Sequence, residues 1–330
     1  VKNRLNRLKT LSVTKIELKE EVKEEVLNHA SGFPLMISPV HSGLDLNHWI
    51  SNNKEKFESH LLHYGGVLFR GFKINTVDKF QRLMDSFPKE TLEYKMRSSP
   101  RHSLAGNVYV STTYPPDQSI NMHSESSYAP VHPERIIFCC ITAADEQGET
   151  PIADNRKVWS LLSETTREKF KTKGVKYRRN LSGFLGLPWQ EVFQTDNKDL
   201  VEQECQNNHM EFSWEGDDRL VIEWNKKAVW EHPVSEEQVW FNHGLFFNKH
   251  MLDEKLLNTI KSEDQIPNNT FFGDGTQITK EEIDEIRTAY EKSTVVFPWQ
   301  EGDVLFLDNM LMSHGRNPYK GERKIIVSMH

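Results

Sequence analysis

Cysteine is scarce: three among 330 residues, adjacent at Cys139 and Cys140 and single at Cys205. An odd number containing one adjacent pair excludes a disulfide framework and suits a reducing compartment, so a cytoplasmic location is the expectation. Long apolar runs are missing as well. The longest nearly uncharged stretch, IIFCCITAA, falls far short of the roughly 20 residues a membrane helix needs, and no signal-peptide core precedes the first acidic cluster. Clustered positive charge is absent too. Lys and Arg total 41 against 48 Asp and Glu, a net charge of −7, and the only basic segment is the short VKNRLNRLKTLSVTK. Phosphate backbones are bound by clustered Lys and Arg, which leaves nucleic acid out. With no repeats and no low-complexity linker, what remains is a composition that builds a core: 37% hydrophobic and 27% charged.

Periodicity places helices at 18–29 (ELKEEVKEEVLN), 46–63, 77–86 and 155–171, and again near 198–207, 250–261 and 279–292. Short apolar runs read as strands: VLFRGF after Gly65-Gly66, RIIFCCITAA, MEFSW, RLVIEW and QVWFN, then TVVFPW, DVLFLDN and RKIIVSM at the end. Strands on both sides of a long mixed stretch point to one discontinuous sheet system. The expected fold is mainly β with flanking helices, a jelly-roll core carrying a long mixed α/β insertion. One domain is expected over 1–330. It comprises an N-terminal helical flank (1–63), a first part of the core (64–154), an insertion with further core strands (155–293) and C-terminal core strands (294–330).

Chemistry gathers at three places. His123-Ser124-Glu125 puts an imidazole and a carboxylate two residues apart, hence on one side of an extended segment. His314, in FLDNMLMSHGRNP, follows an apolar strand. Two His and one carboxylate, with positions left open, form the ligand set of non-haem iron(II) oxygenases; zinc enzymes use the same set, and the ligands alone do not separate the two. The third place is Arg323, nine residues after His314, with Thr150 in GETP 27 residues after His123. A guanidinium fork holds a carboxylate at two points, and a threonine hydroxyl adds a third contact.

With these residues in place, the chain resembles the taurine dioxygenase-like (TauD/TfdA) family of Fe(II)/2-oxoglutarate enzymes, within it the clavaminate synthase-like and syringomycin-type hydroxylase branch. The matching blocks are YGGVLFRGF, PPDQSINMHSE, GETPIAD, FGDGTQI and PWQEGDVLFLDNMLMSHGRNPYKGERKIIVSM. The resemblance implies a double-stranded β-helix, Fe(II) held by His123, Glu125 and His314, and 2-oxoglutarate held by Thr150 and Arg323. It also implies oxidative decarboxylation with O2, releasing succinate and CO2 as an unactivated C–H bond is hydroxylated. Glu125 stands where Asp is commoner, and a carboxylate ligand speaks against halogenation. Val327 occupies the position of the arginine that grips the sulfonate in taurine dioxygenase, so taurine is not the expected substrate.

The substrate implied is small and amino-acid-like, free or bound to a carrier protein, with Arg101 in SSPRHS as a candidate contact for an acidic group and the loop 96–122 as a lid. Two other classes compete: a catalytically silent jelly-roll binding protein, and a zinc hydrolase on the same His2Glu set, which gives Arg323 no role. His102, His132, His209, His232, His243 and His250 read as structural or surface residues, with His243 bordering the cavity. Asp303 and Asp308 read as turn and supporting groups.

Overall fold

The computed structural model describes residues 20–87, 103–105, 108–112, 114–183, 185–216 and 218–330. Its larger sheet has eight strands in the order Val22–Val26, Leu35–Pro39, Gly66–Phe69, Val304–Asp308, Arg135–Thr142, Lys324–Met329, Val108–Val110 and Ser103–Ala105. Strands far apart in sequence interleave, for Val304–Asp308 pairs with Gly66–Phe69 on one side and Arg135–Thr142 on the other.

The central strands are almost wholly apolar because both faces are covered. Successive side chains alternate between faces. Ile136, Phe138, Leu305, Leu307, Ile325 and Val327 belong to one buried cluster. Ile137, Cys139, Val304, Phe306 and Ile326 belong to another, with Trp49, Phe57, Leu61, Phe80 and Leu83 from the helices Leu46–Asn52, Lys54–Tyr64 and Val77–Met84. The first cluster also takes in Ile152, Val295 and Met312. These belong to a second sheet of four strands, in the order Thr294–Val295, Ile152–Asp154, Met312–Arg316 and Ile120–His123. A third sheet, Glu211–Glu215, Arg219–Lys226, Val175–Leu181 and Asn268–Phe272, is built from the mixed region. It shares a further core with the helices Glu164–Lys173 and Lys280–Ser293. The second of these helices opens on a capping box, Thr279 with Glu282.

Three local readings need correction. The expected helix at 18–29 is, over its described residues, the edge strand Val22–Val26, paired with Leu35–Pro39. Pairing and the burial of Val22 and Val26 against the core outweigh the helical propensity of Glu and Lys, and Glu24 finds Lys56 and His60 on a helix. The helices expected at 46–63 and 155–171 are each two, parted at Asn53 and at Ser163, which caps the second one of its pair. His314 lies within a strand, Met312–Arg316, that its mixed composition did not announce. Cys139 and Cys140 sit buried in a strand, and burial holds both thiols protonated, that of Cys140 up to about 12.

Phe306 is central to the helix-covered face, with its ring 5.1 Å from Phe57, 5.7 Å from Phe69 and 5.5 Å from Phe87. Phe306→Ala is expected to cost about 3–5 kcal/mol of stability through lost burial and a residual cavity, measured by urea denaturation.

Candidate active site

The second sheet positions the metal-type donors. His314 and His123 are direct partners in the antiparallel pairing of Met312–Arg316 with Ile120–His123, and their rings lie 4.4 Å apart, centroid to centroid. Glu125 follows two residues beyond the end of the strand Ile120–His123. Donor atoms of His123, Glu125 and His314 all fall within 4.8 Å of one another. The backbone carbonyl of Asn121 accepts from His123 Nδ1 at 2.8 Å. A carbonyl only accepts, so Nδ1 carries the proton and Nε2 keeps its lone pair for a ligand role.

What the donors turn away from the cavity is equally ordered. Alternation sends Ser124 and Ser313 to the opposite side, where their hydroxyls lie 3.2 Å apart. Asn155 donates to Ser124 at 2.9 Å and accepts from Ser313, and Tyr290 Oη stands 3.4 Å from Ser313. Burial pushes the Tyr290 phenol up to about 12, so it remains a neutral partner. Asn309 clamps the Glu125 backbone: its Oδ1 accepts from Glu125 N–H at 2.8 Å, while its Nδ2 donates to the carbonyls of Glu125 and Pro133 at 2.9 and 2.8 Å. Asp308 accepts from the N–H groups of Met310 and Leu311, fixing the turn that delivers His314, and its other oxygen meets His232 Nε2 at 3.2 Å. Asp303 lies elsewhere, in a buried ion pair with Arg70 at 2.6 Å.

A cavity of about 560 Å³ joins these donors to the rest of the predicted site. Its walls include His123, Glu125, Thr150, His314 and Arg323, together with Val327. Arg323 donates Nε–H to the Gly148 carbonyl at 2.7 Å and reaches Thr150 Oγ1 through Nη2 at 3.5 Å. Gly148 lies at φ +75°, a conformation glycine tolerates best. Thr150 also accepts from Trp299 Nε1 at 3.1 Å. Burial, with Arg316 nearby, pulls the Arg323 guanidinium down to about 10, so it is a cation at neutral pH. Phe138 and Phe246 pack on the two imidazoles, 5.1 Å from His314 and 4.7 Å from His123, and leave apolar wall beside the donors. Gly315 permits the close strand approach here, because a Cβ would stand 2.7 Å from the Ile120 carbonyl oxygen.

Arg101 lies outside the described residues. Of the expected lid, 103–105 and 108–110 are the last two strands of the larger sheet, with 103–105 at its edge, and Arg316 ties the following turn down by donating to the carbonyls of Tyr114, Pro115 and Gln118. His243 is buried behind the site, its ring 5.7 Å from that of His123 and its Nδ1 2.7 Å from Ser127 Oγ. Arg316, Asn309 and Phe246 went unassigned in the sequence. Only Arg316 carried a signal, since two residues beyond His314 on a strand is the same face.

A buried carboxylate beside two imidazoles suits a cation, and the His2Glu donor set with open cavity around it suits iron(II). The chain matches the family described as taurine catabolism dioxygenase TauD, TfdA family, over residues 31–329. It belongs to that family and is an Fe(II)/2-oxoglutarate-dependent dioxygenase, with O2 as co-substrate. Among its relatives, the dapdiamide synthesis protein DdaC of Enterobacter agglomerans is 39% identical, over 90% of this chain and 93% of that protein. A clavaminate synthase-like protein of Arabidopsis thaliana is 28% identical over the same shares. In fold, the chain is similar to PvcB of Pseudomonas aeruginosa (TM-score 0.55, 14% identity, 94% of this chain and 92% of the other). It is also similar to a taurine dioxygenase of Burkholderia xenovorans (TM-score 0.55, 15% identity, 94% and 89%). Among the described residues no helix is long and apolar enough to cross a membrane.

Asn309→Ala is expected to cost about 2–4 kcal/mol, since it leaves a buried N–H and two carbonyls with fewer partners. Chemical denaturation measures it; a loss below about 0.5 kcal/mol means the clamp does not support the Glu125 backbone.

Proposed function

We propose that this chain, acting as one catalytic unit over residues 1–330, hydroxylates an unactivated C–H bond of a small substrate bearing an amino-acid unit, free or tethered to a carrier protein. Iron(II) is held by His123, Glu125 and His314, and 2-oxoglutarate by Arg323 and Thr150. The observation that carries the reading is the single cavity that contains all five of these residues. In this reading the two facing sheets are the halves of a double-stranded β-helix, and the third sheet with its helices is the insertion on it. The enzyme works in the cytoplasm.

The residues divide the work. When bound, the iron couples oxidative decarboxylation of 2-oxoglutarate to oxidation of the substrate. Arg323 has Nε occupied by Gly148, which turns its Nη edge to the far carboxylate of the dicarboxylic acid. Thr150 Oγ1 already accepts from Trp299 and Arg323, so its own O–H is left to donate to the same carboxylate. Phe138 and Phe246 keep water from the donors. Val327 lines the cavity where a sulfonate would need a cation, which favours a substrate other than taurine. The relative named for dapdiamide synthesis supports a substrate met in biosynthesis. Arg101 remains the proposed contact for an acidic group.

His314→Ala or His123→Ala is expected to abolish iron(II) binding at micromolar metal, followed by anaerobic titration, together with succinate formation. Wild-type iron affinity in either variant removes that residue from the ligand set. Arg323→Leu is expected to raise the apparent KM for 2-oxoglutarate by the equivalent of about 2–4 kcal/mol, and Arg323→Lys to recover only part because a point charge does not replace the fork. A zinc hydrolase would show no response to 2-oxoglutarate at all. For the substrate, a panel of free and carrier-bound amino acids, with taurine and other sulfonates, is followed by succinate release and mass gain of one oxygen. Stimulation by sulfonates alone contradicts the amino-acid class.

A further inference from the structure

The cavity has a second polar corner that the metal and 2-oxoglutarate do not use. Asn268 lines it, at the start of the strand Asn268–Phe272. Its register partner across the sheet is Arg179, a buried residue with its guanidinium 5.9 Å from the Tyr128 ring and 5.8 Å from the Phe247 ring. Arg179 donates Nε–H to Asn268 Oδ1 at 3.1 Å. A guanidinium has no acceptor, so this bond settles which way the amide faces: oxygen toward Arg179, Nδ2 away from it. Among the described residues no group accepts from Asn268 Nδ2, and Asn268 is only half-buried, on the cavity wall. A charged donor on the oxygen also polarises the amide and strengthens Nδ2–H as a donor.

The charge of the cavity points the same way. Two guanidiniums, Arg316 and Arg323, stand on its wall against one carboxylate, Glu125. Iron(II) and the 2-oxoglutarate dianion cancel each other when bound. Arg316 bonds to carbonyl oxygens and has no ion pair within 4 Å among the described residues, Asp117 acting on it only from farther away. Two guanidiniums on the wall itself, one of them outside any ion pair within 4 Å among the described residues, favour an anionic group on whatever enters next.

We infer that Asn268 is a specificity-determining contact that donates to a carboxylate of the substrate, with Arg179 as its positioning residue. This rests on reading the cavity as the oxygenase site and adds the chemical group by which the substrate is held there.

The test uses the full chain loaded with Mn(II) and saturating 2-oxoglutarate, so that Arg323 is already engaged. The probes are N-acetylglycine, N-acetylalanine and N-acetylphenylalanine, each against its methyl ester, with dissociation constants read by ligand-observed NMR. At least one acid is expected to bind about tenfold or more tighter than its ester, as a charge-assisted bond implies. Asn268→Asp keeps an acceptor for Arg179 but removes the donor. It is expected to erase that preference while melting temperature and 2-oxoglutarate affinity stay at wild-type values. Arg179→Lys is expected to lower the acid-to-ester ratio, a quantity that general loosening of the fold would not move. Equal binding of every acid and its ester by the wild type, no binding of any acid, or an unchanged ratio in Asn268→Asp overturns the inference. These probes have no free amino group, so a failed amino-acid screen and a failed carboxylate contact remain distinguishable.

Discussion

The pairing of Met312–Arg316 against Ile120–His123 is the contact on which the site depends. It sets His314 opposite His123 across two neighbouring strands, although 190 residues separate them in the chain. A slip of either strand by one residue would turn its imidazole to the far side of the sheet and bring its neighbouring serine in. The buried polar group on that far side makes such a slip costly. Ser124, Ser313, Asn155 and Tyr290 bond among themselves only in the observed register. The two faces of one short strand pair thus serve different ends: one presents metal-type donor atoms to the cavity, the other locks their alignment.

Backbone geometry completes the third donor. After Glu125 the chain turns sharply, with Ser126 at φ +53°, a conformation uncommon for a residue other than glycine. Asn309 holds that turn from a loop far along the chain, and the same loop is fixed by Asp308. The Glu125 main chain is thus held by hydrogen bonds from Asn309, and Ser126 Oγ donates to its carboxylate Oε1 at 3.4 Å. Arrangements of this kind keep donors in place before a metal arrives, so less order has to be acquired on binding.

Three bodies of structure meet around the cavity. The larger sheet contributes Ile136, Phe138 and Val327 from its inward face, the second sheet contributes the donors, and the mixed region contributes Phe246, Met251 and Asn268. The first two bring together the donor cluster and the apolar wall beside it. The third packs its core against the second sheet through Ala153 and Met122. Arg316 links the sides by holding the turn at 114–118 through main-chain carbonyls, a contact that is independent of the side chains in that turn.

Much of this was legible in the order of residues. His-x-Glu states its own geometry, because alternate residues on an extended chain share a face, and the apolar runs at 135–142, 304–308 and 324–329 announce buried strands whatever their partners. Arg323 was legible for a similar reason: its spacing from His314 is short enough for local structure to carry it. Other features depended on groups brought together from distant segments. Glu-rich 22–26 is a strand because Leu35–Pro39 offers it an edge, a gain no local propensity contains. Asn309 matters because Glu125 and Pro133 lie beside it, and Asn268 because Arg179 stands opposite it in a sheet. The sequence by itself determined the donor types, the alternation of faces and the family. Register, the clamp on Glu125 and the direction of the Asn268 amide were decided only by tertiary structure, since each is a hydrogen bond between residues that local sequence does not bring within reach.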